Sequence, residues 1–163
     1  MQTPDRLIHA LERAHNGEPW HGPSRAEILS DVTWEEASWR PAVGAHTIWD
    51  LVLHMRSWTR EVVRRAAGGV PGAPVDGDWP AMPIPSAAAW RDVLATLDAA
   101  HRELTRTVRG LSEDALAAKV KDQPGEPFGQ AISVRSMIAS LADHDIYHSG
   151  QVAMLKRLVR SSR

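Results

Sequence analysis

The stretch "MIASLADHDIYHSGQVAMLKRLV" (residues 137–159) repeats apolar side chains at helical spacing and contains no proline. Residues three or four apart lie on the same face of a helix, so this pattern is typical of an amphipathic helix. It predicts a long final helix from about Ile132 to Val159. The side predicted to face the core carries Met137, Ile138, Leu141, Val152, Leu155 and Leu158.

The same periodicity predicts three more long helices earlier in the chain. They run from about Pro4 to His15, from near His46 to Gly68 and Gly69, and from a Ser86 cap to Gly110. Short helices are predicted after Ser24 and after Ser112.

Two segments are predicted to be loops. The stretch "GGVPGAPVDGDWPAMPIP" (68–85) has four Gly and five Pro in eighteen residues, so it cannot be helical. "KDQPGEPFG" (121–129) is the second predicted loop. The prediction is an all-α, up-down-down-up four-helix bundle with a short extra helix and a long Pro/Gly-rich crossover loop. Its length indicates one domain over residues 1–163.

The composition argues against nucleic-acid binding and rules out a metal site built on cysteine. The 19 Lys and Arg against 20 Asp and Glu give a net charge of −1, which lacks the basic surplus that nucleic-acid binding needs. With no cysteine, a metal would have to be held by His, Asp or Glu. There is no apolar run resembling a signal peptide or a membrane span, so we expect a cytoplasmic protein with no membrane partner.

Three histidines are predicted to point into the bundle. His144 and His148 are four residues apart, on the same side of the last helix as Leu141 and Leu155. His54 falls within the apolar stripe of the second long helix. Burying imidazoles without partners is costly, and facing helices of a bundle often build metal sites in this way.

The pattern of these histidines leaves two interpretations open, a metal site or three hydrogen-bonded core side chains. Three neutral ligands plus an open position is the arrangement of a catalytic zinc site, in which bound water reaches a pKa of about 7. A His-Glu-x-x-His metalloprotease is rejected, because the residue after His144 is Asp145 rather than glutamate.

The segments "HTIWDLVLHMRSW" (46–58) and "HDIYHSGQV" (144–152) resemble the DinB/YfiT-like group of metalloenzymes. The resemblance extends over nearly the whole chain, including "WHGPS" (20–24). It implies a four-helix bundle, a homodimer, and one divalent metal ion held by His54, His144 and His148. Zinc or nickel is the implied metal, and iron, cobalt or manganese would also accept imidazole ligands.

The resemblance implies an enzyme acting on a small molecule. We expect a hydrolase that uses metal-activated water, and the alternative is transfer of a low-molecular-weight thiol such as bacillithiol or mycothiol. A third alternative, from another class, is a non-enzymatic metal-binding protein of the stress response.

Candidate catalytic residues beside the metal are His21 and Gln151. Gln151 follows His148 by about one turn and could hydrogen-bond water or substrate. His21 either belongs to a turn that ends one helix and caps the next, or stands at the mouth of the pocket as a proton shuttle. Asp50 is either a carboxylate that orients an imidazole or an ordinary helix acid. Trp20 and His101 receive no role from the sequence.

Overall fold

The computed structural model describes residues 3–20, 22–120 and 132–162, and within them it shows seven helices and no strand. They are α1 (Thr3–His15), α2 (Arg25–Leu29), α3 (Trp34–Ser38), α4 (Ile48–Ala66), α5 (Ala87–Arg109), α6 (Glu113–Ala117) and α7 (Val134–Ser161). The predicted all-α fold is confirmed. Of the three short helices, α2 and α6 follow Ser24 and Ser112 as predicted, and α3 was not predicted. The predicted loop 121–129 lies outside the described residues.

Helix ends are fixed by the residues that satisfy their free backbone groups. Thr47 and Asp50 form a reciprocal capping box at the start of α4, and Ser86 and Ser133 cap α5 and α7. After α4, Gly68 adopts a φ of 90°, which a residue with a side chain rarely adopts. These caps place the starts of α4 and α7 about two residues later than the sequence predicted.

The four long helices form a ring in which α4 packs on α5 and α7, and α1 completes it against the same two helices. One core cluster contains the starts of α4 and α5 with the second half of α7, and the other contains the ends of α4 and α5 with the first half of α7. Helix α1 begins in the second cluster, at Ile8 and Leu11. Helices α4 and α5 are therefore parallel, and the order up-down-down-up follows.

The buried face of α7 differs from the predicted one. Asp145, which was not on the predicted face, is buried, whereas Leu158 is 46% exposed, so the prediction of Leu158 as a core residue was wrong. The row that contains His144, Gln151 and Leu158 lies at the edge of the buried face, because the helix turns away from a strict seven-residue repeat along its 28 residues. This edge faces a cavity beside the site described below.

The crossover loop between α4 and α5 is held along α4 by polar contacts. The Ser57 hydroxyl donates to the Gly77 carbonyl at 2.7 Å, and Arg65 donates to the Gly72 carbonyl at 2.7 Å. Arg65 is itself held by the buried carboxylate of Glu61 at 2.6 Å. The loop therefore has a defined position against the helix that carries His54.

Within the described ranges, no helix combines the length and the apolar character that crossing a bilayer would need.

Candidate metal centre

Three imidazoles from α4 and α7 meet near the middle of the bundle. One ring nitrogen each from His54, His144 and His148 lies within 4.8 Å of the other two, so this group could hold a metal ion. The Nε2 atoms of His54 and His144 are 3.0 Å apart. All three ring centroids lie within 5.0 Å of one another. The structure thus brings together the three histidines that the sequence singled out.

The crossover loop fixes the ring of His54. Its Nδ1 lies 2.7 Å from the carbonyl oxygen of Asp78, which can only accept, so Nδ1 carries the proton and Nε2 keeps its lone pair. The indole of Trp79 stacks on this ring at a centroid distance of 4.0 Å and an interplanar angle of 12°. Burial lowers the pKa of His54, although the hydrogen bond to Asp78 raises it in part. The imidazole is consequently neutral and oriented.

His148 and His144 are oriented from within α7. The Nδ1 atom of His148 lies 2.6 Å from Oε1 of Gln151, an arrangement that leaves Nε2 of His148 available. Burial also lowers the pKa of His148. The Nδ1 atom of His144 lies 3.5 Å from Oδ1 of Asp145, and neither atom has a hydrogen-bond partner among the residues that the structure describes. A small rotation of the imidazole ring would complete this contact.

The chemistry of the group fits a divalent metal ion. With Nδ1 of His54 and His148 engaged by acceptors, the Nε2 atoms of these two rings are acceptors. Nε2 of His144 lies 3.0 Å from Nε2 of His54, where it can donate an N–H···N hydrogen bond, and loss of that proton would turn both nitrogens into metal ligands. Tetrahedral zinc with Zn–N bonds of about 2.0–2.1 Å separates its nitrogen ligands by about 3.3 Å, close to the observed spacing.

A buried polar network lies behind His144. Arg25, only 2% exposed, forms an ion pair with Asp145 and reaches Nδ1 of His15 at 2.8 Å. Burial alone would raise the pKa of Asp145, but the neighbouring Arg25 guanidinium brings it below its ordinary value. The Nε2 atom of His15 faces Asp98 at 3.3 Å, and its ring stacks on His101 at 3.9 Å. This network links α1, α2, α5 and α7.

The other residues that the sequence singled out near the site do not all lie beside the three histidines. Gln151 contacts His148, while its predicted catalytic role stays a prediction; His21 lies outside the described residues. Asp50 does not orient His54, because its carboxylate caps Thr47 and pairs with Arg40 at 3.1 Å. Trp20 is almost fully exposed in a turn.

Sequence reasoning missed Asp78 and Trp79 as neighbours of His54, and Arg25 as the partner of Asp145. The one signal for Trp79 was a large indole in a loop of Gly and Pro, which indicated that the loop packs down. Asp78 acts through its main-chain carbonyl, which no residue type reveals.

A bundle whose facing helices direct three oriented imidazoles at one point belongs to the class of helical proteins with a candidate metal site in the core. The chain is a member of the DinB superfamily, whose family model matches residues 24–152. The match includes all three histidines and omits α1. A comparison with curated proteins gives no match.

The buried, stacked pair of His15 and His101 leads to a prediction that the protein loses stability in mild acid. Burial lowers the pKa of His15 to about 3 and that of His101 to about 4, and the charge of Arg25 acts in the same direction. Asp145 opposes this effect, and Arg102 adds to it. In the unfolded chain both histidines titrate near 6.5, so below that pH the unfolded state binds more protons. The free energy of unfolding should therefore fall as the pH is lowered from about 6.5 towards about 4.

Each of these histidines contributes a slope of up to about 1.4 kcal/mol per pH unit. In His101→Leu we expect the slope of the free energy of unfolding against pH to decrease by about 1 kcal/mol per unit, measured by urea unfolding. His9→Leu is the matched control, because His9 is exposed on α1. An unchanged slope in His101→Leu would contradict the assignment.

The position of Asp145 beside His144 leads to a prediction about metal affinity. Asp145→Asn should lower metal affinity by about 10–100-fold, as is typical for loss of an outer hydrogen-bond partner, and should destabilise the fold by leaving Arg25 unpaired. The double variant Arg25→Gln/Asp145→Asn removes both charges and should recover stability but not affinity. Zinc titration against a competing chelator, alongside urea unfolding, separates the two effects; recovery of affinity in the double variant would exclude an orienting role.

Proposed function

We propose that this protein is a metal-dependent enzyme, of hydrolase type, in which His54, His144 and His148 hold one divalent ion. The observation that carries the proposal is the orientation of the three rings. His54 and His148 have their outer nitrogens engaged by the Asp78 carbonyl and by Gln151, so the inner nitrogens are left as ligands. Because a separation of 3.0 Å between the Nε2 atoms of His54 and His144 also suits an N–H···N hydrogen bond, the proposal rests on the convergence of all three rings rather than on this one distance.

Zinc or nickel is the proposed ion, since an all-imidazole donor set suits both. With three neutral ligands, the bound ion would supply a Lewis-acid centre that lowers the pKa of a water or thiol at its remaining position. The chain itself contributes fixed ring orientations through Asp78, Gln151 and Asp145, and a stacked indole that shields one face of His54 from solvent.

The proposed substrate is a small molecule, because an open cavity of about 490 Å³ adjoins His148. The net charge of −1 gives no support to a nucleic-acid partner. A homodimer is proposed from membership of the superfamily, and sedimentation velocity would measure it.

Single ligand substitutions test the metal site. His54→Ala, His144→Ala and His148→Ala should each lower zinc and nickel affinity by more than the roughly 10–100-fold that loss of an outer partner costs. Elemental analysis of the purified proteins and chelator competition measure the effect. His9→Ala, which removes an exposed imidazole, should bind metal as the wild type does. Unchanged binding in all three site variants would remove the proposed centre.

The reaction is tested with neutral esters and amides. We expect zinc-loaded or nickel-loaded protein to cleave at least one of them faster than the metal-free protein, and His148→Ala to lose at least about tenfold of that rate, or about 1.4 kcal/mol of transition-state stabilisation. His9→Ala serves again as the control. If no ester or amide is cleaved but the loaded protein accelerates addition of bacillithiol to a model electrophile, the enzyme is a thiol transferase instead.

A further inference from the structure

An open cavity of about 490 Å³ lies directly beside His148, on the side away from the polar network of Arg25. Helix α7 forms one wall with Tyr147, Gln151, Met154 and Leu155. The opposite wall comes from the start of α4, the segment before it, and the crossover loop. A cavity that includes one of the three candidate ligands is in position to hold the body of a substrate whose reacting group reaches the metal.

Among the residues that the structure describes, the lining of this cavity contains no Asp, Glu, Lys or Arg, in a chain in which 24% of residues are charged. Its polar side chains are His46, Tyr147, His148 and Gln151. Since Oε1 of Gln151 already contacts His148, its NH₂ group is the part that remains to donate to a neutral acceptor. An anionic group held against this lining, away from the proposed metal ion, would lose water without gaining a cation.

Apolar surface is unusually exposed around the cavity. Tyr147 is 64% exposed and Met154 is 65% exposed, although both belong to a helix whose other face is core. The indole of Trp79 stacks on His46 at 3.6 Å as well as on His54, so a stack of three rings runs from the metal centre to the lining of the cavity. This continuity with the three histidines favours a small substrate as the occupant.

The other cavity beside the site differs in chemistry. It has about 270 Å³, adjoins His144, and includes Arg65, whose guanidinium is held by Glu61 and by the Gly72 carbonyl. Arg65 shares the single Glu61 carboxylate with Arg64, so this cavity has a cation in its described lining, unlike the cavity beside His148.

We propose that the cavity beside His148 binds the uncharged, apolar or aromatic body of the substrate and discriminates against anionic molecules. The inference rests on the proposed function, because it places the reacting group at the three histidines. It also disfavours one form of the alternative reaction, because a thiol cofactor that carries carboxylates, such as bacillithiol, would be a poor ligand for this cavity.

A matched pair of hydroxamates tests the selectivity. Benzohydroxamic acid and 4-carboxybenzohydroxamic acid share a metal-binding group and a ring, and they differ by one negative charge. With the zinc-loaded full-length protein, calorimetry should show the neutral probe binding at least about tenfold more tightly, because the carboxylate is desolvated without a partner.

Charge introduced at Met154 should change this preference in opposite directions. Met154→Lys should reduce it to less than about threefold by giving the carboxylate a partner, and Met154→Glu should increase it. Because Met154 is largely exposed, both substitutions are compatible with folding. Ile84→Lys is the control: Ile84 is 90% exposed and does not line the cavity, so the ratio of the two affinities should not change.

The outcomes distinguish this inference from the proposed function. If the protein binds no zinc, or if acetohydroxamic acid, which has no ring, fails to bind the zinc-loaded form, the metal-dependent function is contradicted. If acetohydroxamic acid binds but the two ring probes bind equally and Met154→Lys leaves their ratio unchanged, only the inference about the cavity is overturned. A change from dimer to monomer in Met154→Lys would assign this face to a subunit interface and would also overturn it.

Discussion

The hydrogen bond from Nδ1 of His54 to the carbonyl of Asp78 joins helix α4 to the crossover loop that follows it. A helix supplies the imidazole, and a loop of Gly and Pro supplies the acceptor. Because a carbonyl can only accept, this bond also determines which nitrogen of His54 faces the bundle interior. The loop needs its own anchors for the bond to persist, and Ser57 and Arg65 provide them along the same helix.

The interior also has to accommodate the charges of Arg25 and Asp145. A buried ion pair does little for stability in itself, because desolvation offsets most of the attraction, but loss of one partner is costly. Here the pair has a geometric consequence. It holds Asp145 against the Nδ1 side of His144, and through His15 it joins α1 to the same region. The side of the site facing α1 is therefore polar and closed, whereas the side facing Tyr147 and Met154 is apolar and open.

Much of the fold and the three histidines could be predicted from the sequence, since both depend on local periodicity. Apolar spacing with Gly, Pro and Ser at the ends defined α1, α4, α5 and α7 to within a few residues. His54, His144 and His148 fell on the inner side of two of these helices. The five-residue helix α3 is too short to show a period, and its signal in the sequence, the capping box of Thr33 and Glu36, was not used as the Ser24 and Ser112 caps of α2 and α6 were.

What the sequence could not predict depends on distant contacts. The pair of Arg25 and Asp145 joins residues 120 positions apart, and no local pattern connects them. The rotation of α7 that exposes Leu158 and buries Asp145 is likewise set by how neighbouring helices pack. Local spacing can also suggest a contact that does not form. Asp50 lies at a suitable spacing from His54 for a carboxylate that orients its imidazole, but it forms part of the capping box at the start of α4.

His54 and His144 are separated by 90 positions in the chain and belong to helices that run in opposite directions. An ion shared between them would act as a reversible cross-link that closes a long segment of the chain, with an entropic effect that depends only weakly on the length of that segment. Since the unfolded chain does not hold these rings together, the ion would bind the native state preferentially and stabilise it in proportion to the logarithm of its free concentration. The supply of metal would then set the lifetime of the folded protein as well as its chemistry.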